Sequence, residues 1–347
     1  MKYSKKLVSV LLAASLVCLS LVGCGQSSAA DIDYTQTVTT VNGEEISLGV
    51  VNFYTRYEQS YYETYYMVYF GDDMWTTEVS DGVTYEDDTK STVMTTIQEL
   101  AIIRQHADEY GVTLEDAEFE MIQAAAEEFV AANDDEALAA ISGSAEVMEE
   151  VLELFLYDTK VYDAIAEGID TEVDEEDIAQ KALTYVYFEL TTDDEEAEDG
   201  YVEYTDEEKA VVYAEIESLI AAAEESGDLY TEAEALGYTP VEVTFNVSTT
   251  TVDENVIAVA DELSEGEVSG VIESDLSYYV AQLTSEYDED ATETARQEVL
   301  SEREAELYTI VVEEWIAAAE CVIDEDVWSQ ISLIDLGVTI YYESTEE

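Results

Sequence analysis

Catalysis needs side chains that give or hold a proton, a pair of electrons or a metal, and this chain has an uneven supply of them: 84 Asp and Glu, 26 Tyr, three Cys and one His. The combinations that make strong nucleophiles are missing. There is no Gly-x-Ser-x-Gly elbow, no Cys/His pairing, no His-Glu-x-x-His and no glycine-rich phosphate loop after a strand. Carboxylates stand beside one another everywhere, so their proximity in sequence says little about general acid–base work. The densest stretch, "TTDDEEAEDGYVEYTDEE", misses the spacing of a calcium loop, because Ala197 falls where a ligand is needed and the glutamate required after Gly200 is absent. No defined metal site and no cofactor is therefore expected, and weak, diffuse cation binding by the acidic stretches stays open. His106, in a helical stretch, reads as a surface or partly satisfied residue. Tyrosine remains. In "NFYTRYEQSYYETYYMVYF", Phe53, Tyr57, Tyr61, Tyr65 and Tyr69 recur every four residues, and Tyr54, Tyr62, Tyr66 and Phe70 form a second row interrupted by Glu58. On a helix the two rows sweep roughly 260°, far beyond the stripe of about 100° that core packing needs. Part of that surface should be exposed or line a groove; packing into the core is the competing outcome. Tyr54, Tyr57, Tyr61, Tyr62, Tyr65, Tyr66 and Tyr69 are the candidates for gripping a partner, since a tyrosine ring is apolar while its hydroxyl stays wet.

Turn and cap signals outline the elements that must carry these residues. "TVTTVNGEEIS" alternates like a hairpin about Asn42-Gly43, and a helix should follow from about Leu48. A second helix is expected over Thr92 to Tyr110, ending at Gly111; a third should be opened by Thr113 with Asp116, and a fourth run from Ser144 to Gly168. Near Lys181 the texture becomes β-branched and aromatic. "ALTYVYFEL" reads as a strand, followed by an acidic loop and a helix capped by Thr205 and Glu208. A short helix stopped by Gly237, the strand "VEVTFNV", a helix near Asn255 to Leu263, and the strands "VSGVI" and "SYYVAQLTSEY" complete an α+β pattern. One long helix over Ala291 to Cys321 and the segment "VWSQISLI" close the chain, with Cys321 expected as a buried small hydrophobe on the helix face.

The N-terminus has a positive start at Lys2, Lys5 and Lys6, the apolar run "LVSVLLAASLVCLSLV", and "LVGC" ending at Cys24. This resembles the lipobox of a bacterial lipoprotein signal peptide, which implies lipidation of Cys24, cleavage after residue 23 and a polar tether over 24–36. A plain secretory signal or an N-terminal membrane helix is the alternative, although the apolar run is short for a span of about 20 residues. Loss of three lysines would leave 8 basic residues against 84 acids, a net of −76. That excludes nucleic-acid binding, which needs Lys and Arg on phosphates. With 47% hydrophobic residues the chain still has enough to bury a core, and its charge reads as a solvated surface with a bias toward cationic partners.

"VNGEEISLGVVNFYTRY" followed by "ADEYGVTLEDAEFE" resembles the N-terminal chaperone domain of PrsA-type and SurA-type extracytoplasmic foldases. "ADELSEGEVSGVIESDLSYYVAQLTSEYDEDAT" is similar to part of their parvulin-type peptidyl-prolyl isomerase domain. The resemblance implies a helical chaperone domain from residues 37–180 and 289–347, the C-terminal helix returning to it, with a parvulin-like α+β domain inserted over 181–288. It further implies a membrane anchor through lipid, an extracytoplasmic location at the bacterial cell membrane, and unfolded or newly secreted polypeptides as partners. Parvulins place two facing histidines under the bound prolyl ring, and the matching positions here are Tyr185 and Tyr279. The prolyl wall is thin as well, with Ile257 and Asp261 near positions that tend to be phenylalanine in the family. The expectation is a folding factor that holds clients by apolar contact. An active isomerase, in which Tyr185 and Tyr279 hydrogen-bond each other and a prolyl carbonyl, is one alternative; a noncatalytic surface or assembly lipoprotein is another.

Overall fold

The computed structural model describes residues 17–18, 32–193, 200–334 and 336–340. Cys24, most of the signal and tether, and the centre of the acidic stretch lie outside them. The architecture is mixed α and β, and the chain forms two compact units, Met1–Ile169 with Glu304–Glu347, and Asp170–Arg303.

The first unit opens with the hairpin β1 (Thr37–Val41) and β2 (Glu44–Ser47). Its two-residue loop holds Asn42 at φ 51° and Gly43 at φ 84°, the left-handed pair whose twist suits paired strands. Ser47 caps α1 (Leu48–Tyr65), its hydroxyl accepting from the Val50 N–H. The tyrosine rows predict one helix through Phe70, but α1 ends where Tyr66 takes φ −111°, and a separate single turn, α2 (Met67–Phe70), stops at Gly71 with φ 78°. A 3₁₀ turn at Met74–Thr76 follows and buries Met74 and Trp75. The small hairpin β3 (Glu78–Ser80) and β4 (Val83–Thr84) leads to α3 (Tyr85–His106), started by a Thr84/Asp87 capping box. α4 (Asp116–Ala132) is capped by Glu115 with Glu118, two residues later than Thr113. The Thr113 carbonyl instead accepts from Lys160 Nζ at 2.7 Å, and the same ammonium pairs with Glu118 at 2.6 Å. α5 (Asp135–Ile141) and α6 (Ala145–Ala166), the latter capped by Ser144, complete the helices of this part. Ile97, Ile102, Leu152 and Leu154 lie at the centre of its core, together with Val38, Val41 and Leu48.

The second unit starts with α7 (Glu175–Ile178) and β5 (Lys181–Glu189). The acidic stretch, expected as a loop, contains a short antiparallel pair, β6 (Thr191–Asp193) with β7 (Tyr201–Glu203). Then come α8 (Asp206–Ser226), with the Thr205/Glu208 capping box, and α9 (Leu229–Ala235). β8 (Val241–Phe245), α10 (Glu254–Glu262), β9 (Ile272–Glu273) and β10 (Ser277–Ser285) finish an antiparallel sheet of order β9-β10-β5-β8. "VSGVI" is not a continuous strand. Val268 makes an isolated bridge to Gln282, and the Ser269 hydroxyl accepts from the Ala281 N–H at 2.9 Å, so a side chain interrupts the ladder before β9. Alternation divides the sheet: Val186, Phe188 and Val280 pack under α8 and α9, while Leu183, Leu283 and Phe245 pack under α10.

The chain re-enters the first unit within α11 (Glu289–Ala318). This helix stops before Cys321, which lies in β11 (Cys321–Ile323) and pairs with Val41 in the order β11-β1-β2. Cys321 is exposed, contrary to the helix-face expectation, because residues 321–323 run along the outer edge of the hairpin. α12 (Glu325–Trp328) follows and packs Val327 and Trp328 into the first core.

Candidate functional site: two tyrosine surfaces

α1 is buried on almost every side for its first three turns. Phe53 meets Phe129 edge-on at 5.5 Å, Tyr54 leans on Phe155 at 5.4 Å, and Tyr57 stacks on Tyr54 at 6.1 Å. Burial raises the Tyr54 hydroxyl well above the ordinary phenol range, with Glu58 beside it adding to the rise. Past Ser60 the same residue type faces solvent. Tyr61, Tyr65 and Tyr66 are exposed, and α2 buries no residue, with Val68 80% and Tyr69 81% accessible. The rings are joined: Tyr61 lies 5.0 Å from Tyr65 and 5.9 Å from Tyr66, Tyr62 lies 5.7 Å from Tyr66, and Phe70 lies 5.3 Å from Tyr85. Tyr61 and Tyr66 also share a hydroxyl hydrogen bond. The result is an exposed aromatic shelf in which Tyr61, Tyr62, Tyr65 and Tyr66 are in ring contact, Phe70 pairs with Tyr85, and Tyr69 is also open to solvent. Of the seven candidate tyrosines, Tyr54 and Tyr57 are half-buried beside the core, Tyr62 forms the back of the shelf, and Tyr61, Tyr65, Tyr66 and Tyr69 form its open face.

A buried polar row supports the shelf from behind, and helical spacing of apolar residues gave no hint of it. Arg56 donates to the Gln59 side-chain oxygen at 2.6 Å and to the Ser332 carbonyl at 3.0 Å. Gln59 donates to Glu63 at 2.7 Å and to the Leu333 carbonyl at 3.0 Å. Glu63, 8% exposed, also accepts from the Trp75 indole at 2.9 Å and the Val338 N–H at 2.6 Å. Burial raises the Glu63 carboxyl above its ordinary range, and the three donors with Arg56 pull back only part of that shift. Trp75 in turn packs edge-on against Tyr62 at 5.9 Å, and Leu333 joins Met74, Trp75 and Tyr62 in one small cluster. Three polar residues on α1 thus tie Ser332, Leu333 and Val338 to the base of the rings. The sequence signal that could have found them is the polar Arg, Gln and Glu at i, i+3 and i+7 inside an otherwise apolar helix.

The second surface lies on the sheet of the other unit. Tyr185 and Tyr187 of β5 and Tyr279 of β10 share one face, the rings of Tyr185 and Tyr279 being 6.1 Å apart and those of Tyr187 and Tyr279 6.4 Å. The Tyr279 hydroxyl is hydrogen-bonded to Ser277. Burial first, and Asp253 after it, raise the Tyr279 hydroxyl. Ile257 is buried in the core under α10, and Asp261 is held by Lys181, whose ammonium lies 2.8 Å from its carboxylate. The three rings form a partly open aromatic floor.

His106 is far from such a role. Its ring stacks on Trp315 at 4.5 Å, nearly parallel, and Nδ1 lies 2.8 Å from Glu109. Among the described residues, no group of three or more His, Cys, Asp or Glu side chains is placed to hold a metal ion. Among them also, no helix is long and apolar enough to cross a membrane.

No family model and no curated protein matches the chain. Solved structures do. The foldase protein PrsA of Lactococcus lactis is 13% identical, with 85% of this chain and 98% of that chain covered and a TM-score of 0.38. The foldase protein PrsA of Streptococcus pneumoniae is 18% identical over 74% of this chain and 99% of its own, with a TM-score of 0.31. A SurA-like chaperone of Campylobacter jejuni is 10% identical over 83% and 98%, with a TM-score of 0.29. The chain is therefore distantly similar in structure to several PrsA-type foldases and SurA-like chaperones.

Proposed function

We propose that this protein holds unfolded or newly secreted polypeptides at the extracytoplasmic face of a bacterial membrane, as a folding factor of the PrsA type. The observation that carries this reading is the exposed shelf, in which the rings of Tyr61, Tyr65 and Tyr66 touch at the end of α1 and Tyr69 and Phe70 of α2 are also open to solvent, although the first three turns of α1 are buried on almost every side. Such a surface offers many weak apolar contacts and no deep pocket, which suits reversible capture without nucleotide-driven release. Residues 37–180 and 289–347 would form the chaperone domain, and 181–288 a parvulin-like insertion. Anchoring would come from lipid on Cys24, and acyl labelling of Cys24 against Cys24→Ser tests it.

The test of holding is the aggregation of an unfolding client followed by light scattering. The wild-type protein in molar excess should suppress scattering, and Tyr65→Ser with Tyr69→Ser should remove most of the protection. Both side chains are exposed, so the double change should alter stability by no more than about 0.5 kcal/mol per site. Equal protection by the variant would sink the assignment of the shelf.

A second reading, peptidyl-prolyl isomerisation, is favoured by one feature, the Tyr185, Tyr187 and Tyr279 floor. Rotation about an X-Pro bond has a barrier of about 20 kcal/mol from amide resonance, and a pocket that disfavours the planar form lowers it without proton transfer. A chromogenic proline peptide that isomerises no faster with the protein than without it would dismiss this activity.

A further inference from the structure

The shelf has a strongly one-sided electrostatic setting. Between Arg56 and Lys90 the chain carries nine acids, Glu58, Glu63, Asp72, Asp73, Glu78, Asp81, Glu86, Asp87 and Asp88, and no Lys, Arg or His. The two flanking cations are already committed. Arg56 is buried and donates to Gln59 and Ser332, while Lys90 donates to the Ile331 carbonyl at 2.6 Å and lies 4.8 Å over the Trp328 ring. Glu58 and Asp88 act on Tyr62, and Glu58 acts on Tyr61. Asp72 and Asp73, both exposed, directly follow the turn at Gly71 that ends α2.

Rings and acids of this kind select for one partner chemistry. A tyrosine face attracts a cation through its quadrupole, with Lys or Arg within about 6 Å of the centroid. The stems of those side chains also cover apolar area while their heads reach a carboxylate. An acidic client segment would meet like charge from Glu58 and Asp88 beside the rings, and a neutral one would gain ring contact alone. From this charge complementarity we propose that the shelf binds cationic unfolded segments, in which Lys or Arg alternate with apolar residues, and rejects acidic ones. The inference rests on the holding function proposed above and adds the class of client.

Three unfolded peptides separate the two claims. All share the same aromatic and aliphatic residues, and their remaining positions are Lys, Gln or Glu. Binding of each to the purified protein is measured by fluorescence anisotropy at low salt and at about 1 M salt, where the screening length falls to about 3 Å. The expected order at low salt is Lys, then Gln, then Glu, with at least about a tenfold gap between Lys and Glu. At high salt the gap should close while apolar binding persists. Asp72→Asn with Asp73→Asn should weaken the Lys peptide several-fold more than the Gln peptide. Tyr65→Leu with Tyr69→Leu, which keeps apolar area but removes the ring faces, should lower the Lys-to-Gln ratio. A Gln peptide that binds as tightly as the Lys peptide at low salt overturns the client class and leaves holding intact. An unchanged Lys-to-Gln ratio in both variants overturns the shelf as the selecting surface. If no peptide binds under any condition, the holding function and this inference fail together.

Discussion

At the scale of single residues, Glu63 decides how the shelf is built. It accepts from the Trp75 indole, the Val338 N–H and Gln59, and Gln59 keeps a carbonyl partner at Leu333 if the carboxylate is lost. Trp75 and Val338 would then be buried donors without an acceptor, at about 1–3 kcal/mol for each unmet group. Glu63→Ala should therefore lower unfolding free energy in urea by about 2–6 kcal/mol. A loss near zero would mean that residues 332–338 are not held by this carboxylate. Tyrosines along the same helix illustrate why residue type alone was ambiguous. Tyr54 and Tyr65 have the same side chain, yet Tyr54 leans on Phe155 of α6 while Tyr65 is exposed.

Local signals carried far at the level of elements. The Asn42-Gly43 turn, the Ser144 cap, the Thr205/Glu208 box and the stop at Gly111 were all readable, since each needs only a few neighbouring residues and their own dihedrals. Gly43→Ala tests the first of these. No atom lies within 4 Å of the added Cβ, so the cost would be the left-handed backbone alone, about 1 kcal/mol, seen as a lower Tm. No change in Tm would show that the hairpin tolerates another turn. β11 was illegible for the opposite reason. Residues near Cys321 continue a good helical pattern, but three backbone pairings to a strand at Thr39 to Val41 outweigh local preference.

Across the whole molecule, charge and burial act together on stability. Burial raises the carboxyls of Glu58, Glu63, Glu99, Glu150 and Asp158. For these groups the folded chain keeps a proton that the unfolded chain has lost, so stability falls as pH climbs from the ordinary carboxylate range through the raised values. Caps work the other way. Hydrogen bonds from Thr84 lower Asp87, those from Thr205 lower Glu208, and those from Thr231 lower Asp228. Their stabilisation is present above the ordinary range and is lost as pH falls through the depressed values. Self-repulsion from a net charge of −73 adds to the first effect. Tm should accordingly rise as pH is lowered from about 7 toward 5, and fall again below about 4. A Tm that declines steadily on acidification from neutral pH would contradict this balance.

The amino-acid order by itself determined the α+β pattern, the turns and caps, the acidic surface and the abundance of tyrosine, because these depend on composition and on contacts within a few residues. Tyr185 and Tyr279 were marked only through the resemblance to parvulins, as the positions of the two facing histidines. Only the tertiary structure decided which rings are covered, that α1 breaks at Tyr66, that Cys321 lies on an exposed strand, and that Arg56, Gln59 and Glu63 are buried. Each of those outcomes is set by partners far along the chain, Val41 for Cys321 and Ser332, Leu333 and Val338 for the polar row of α1, and local sequence does not say which distant segment will arrive.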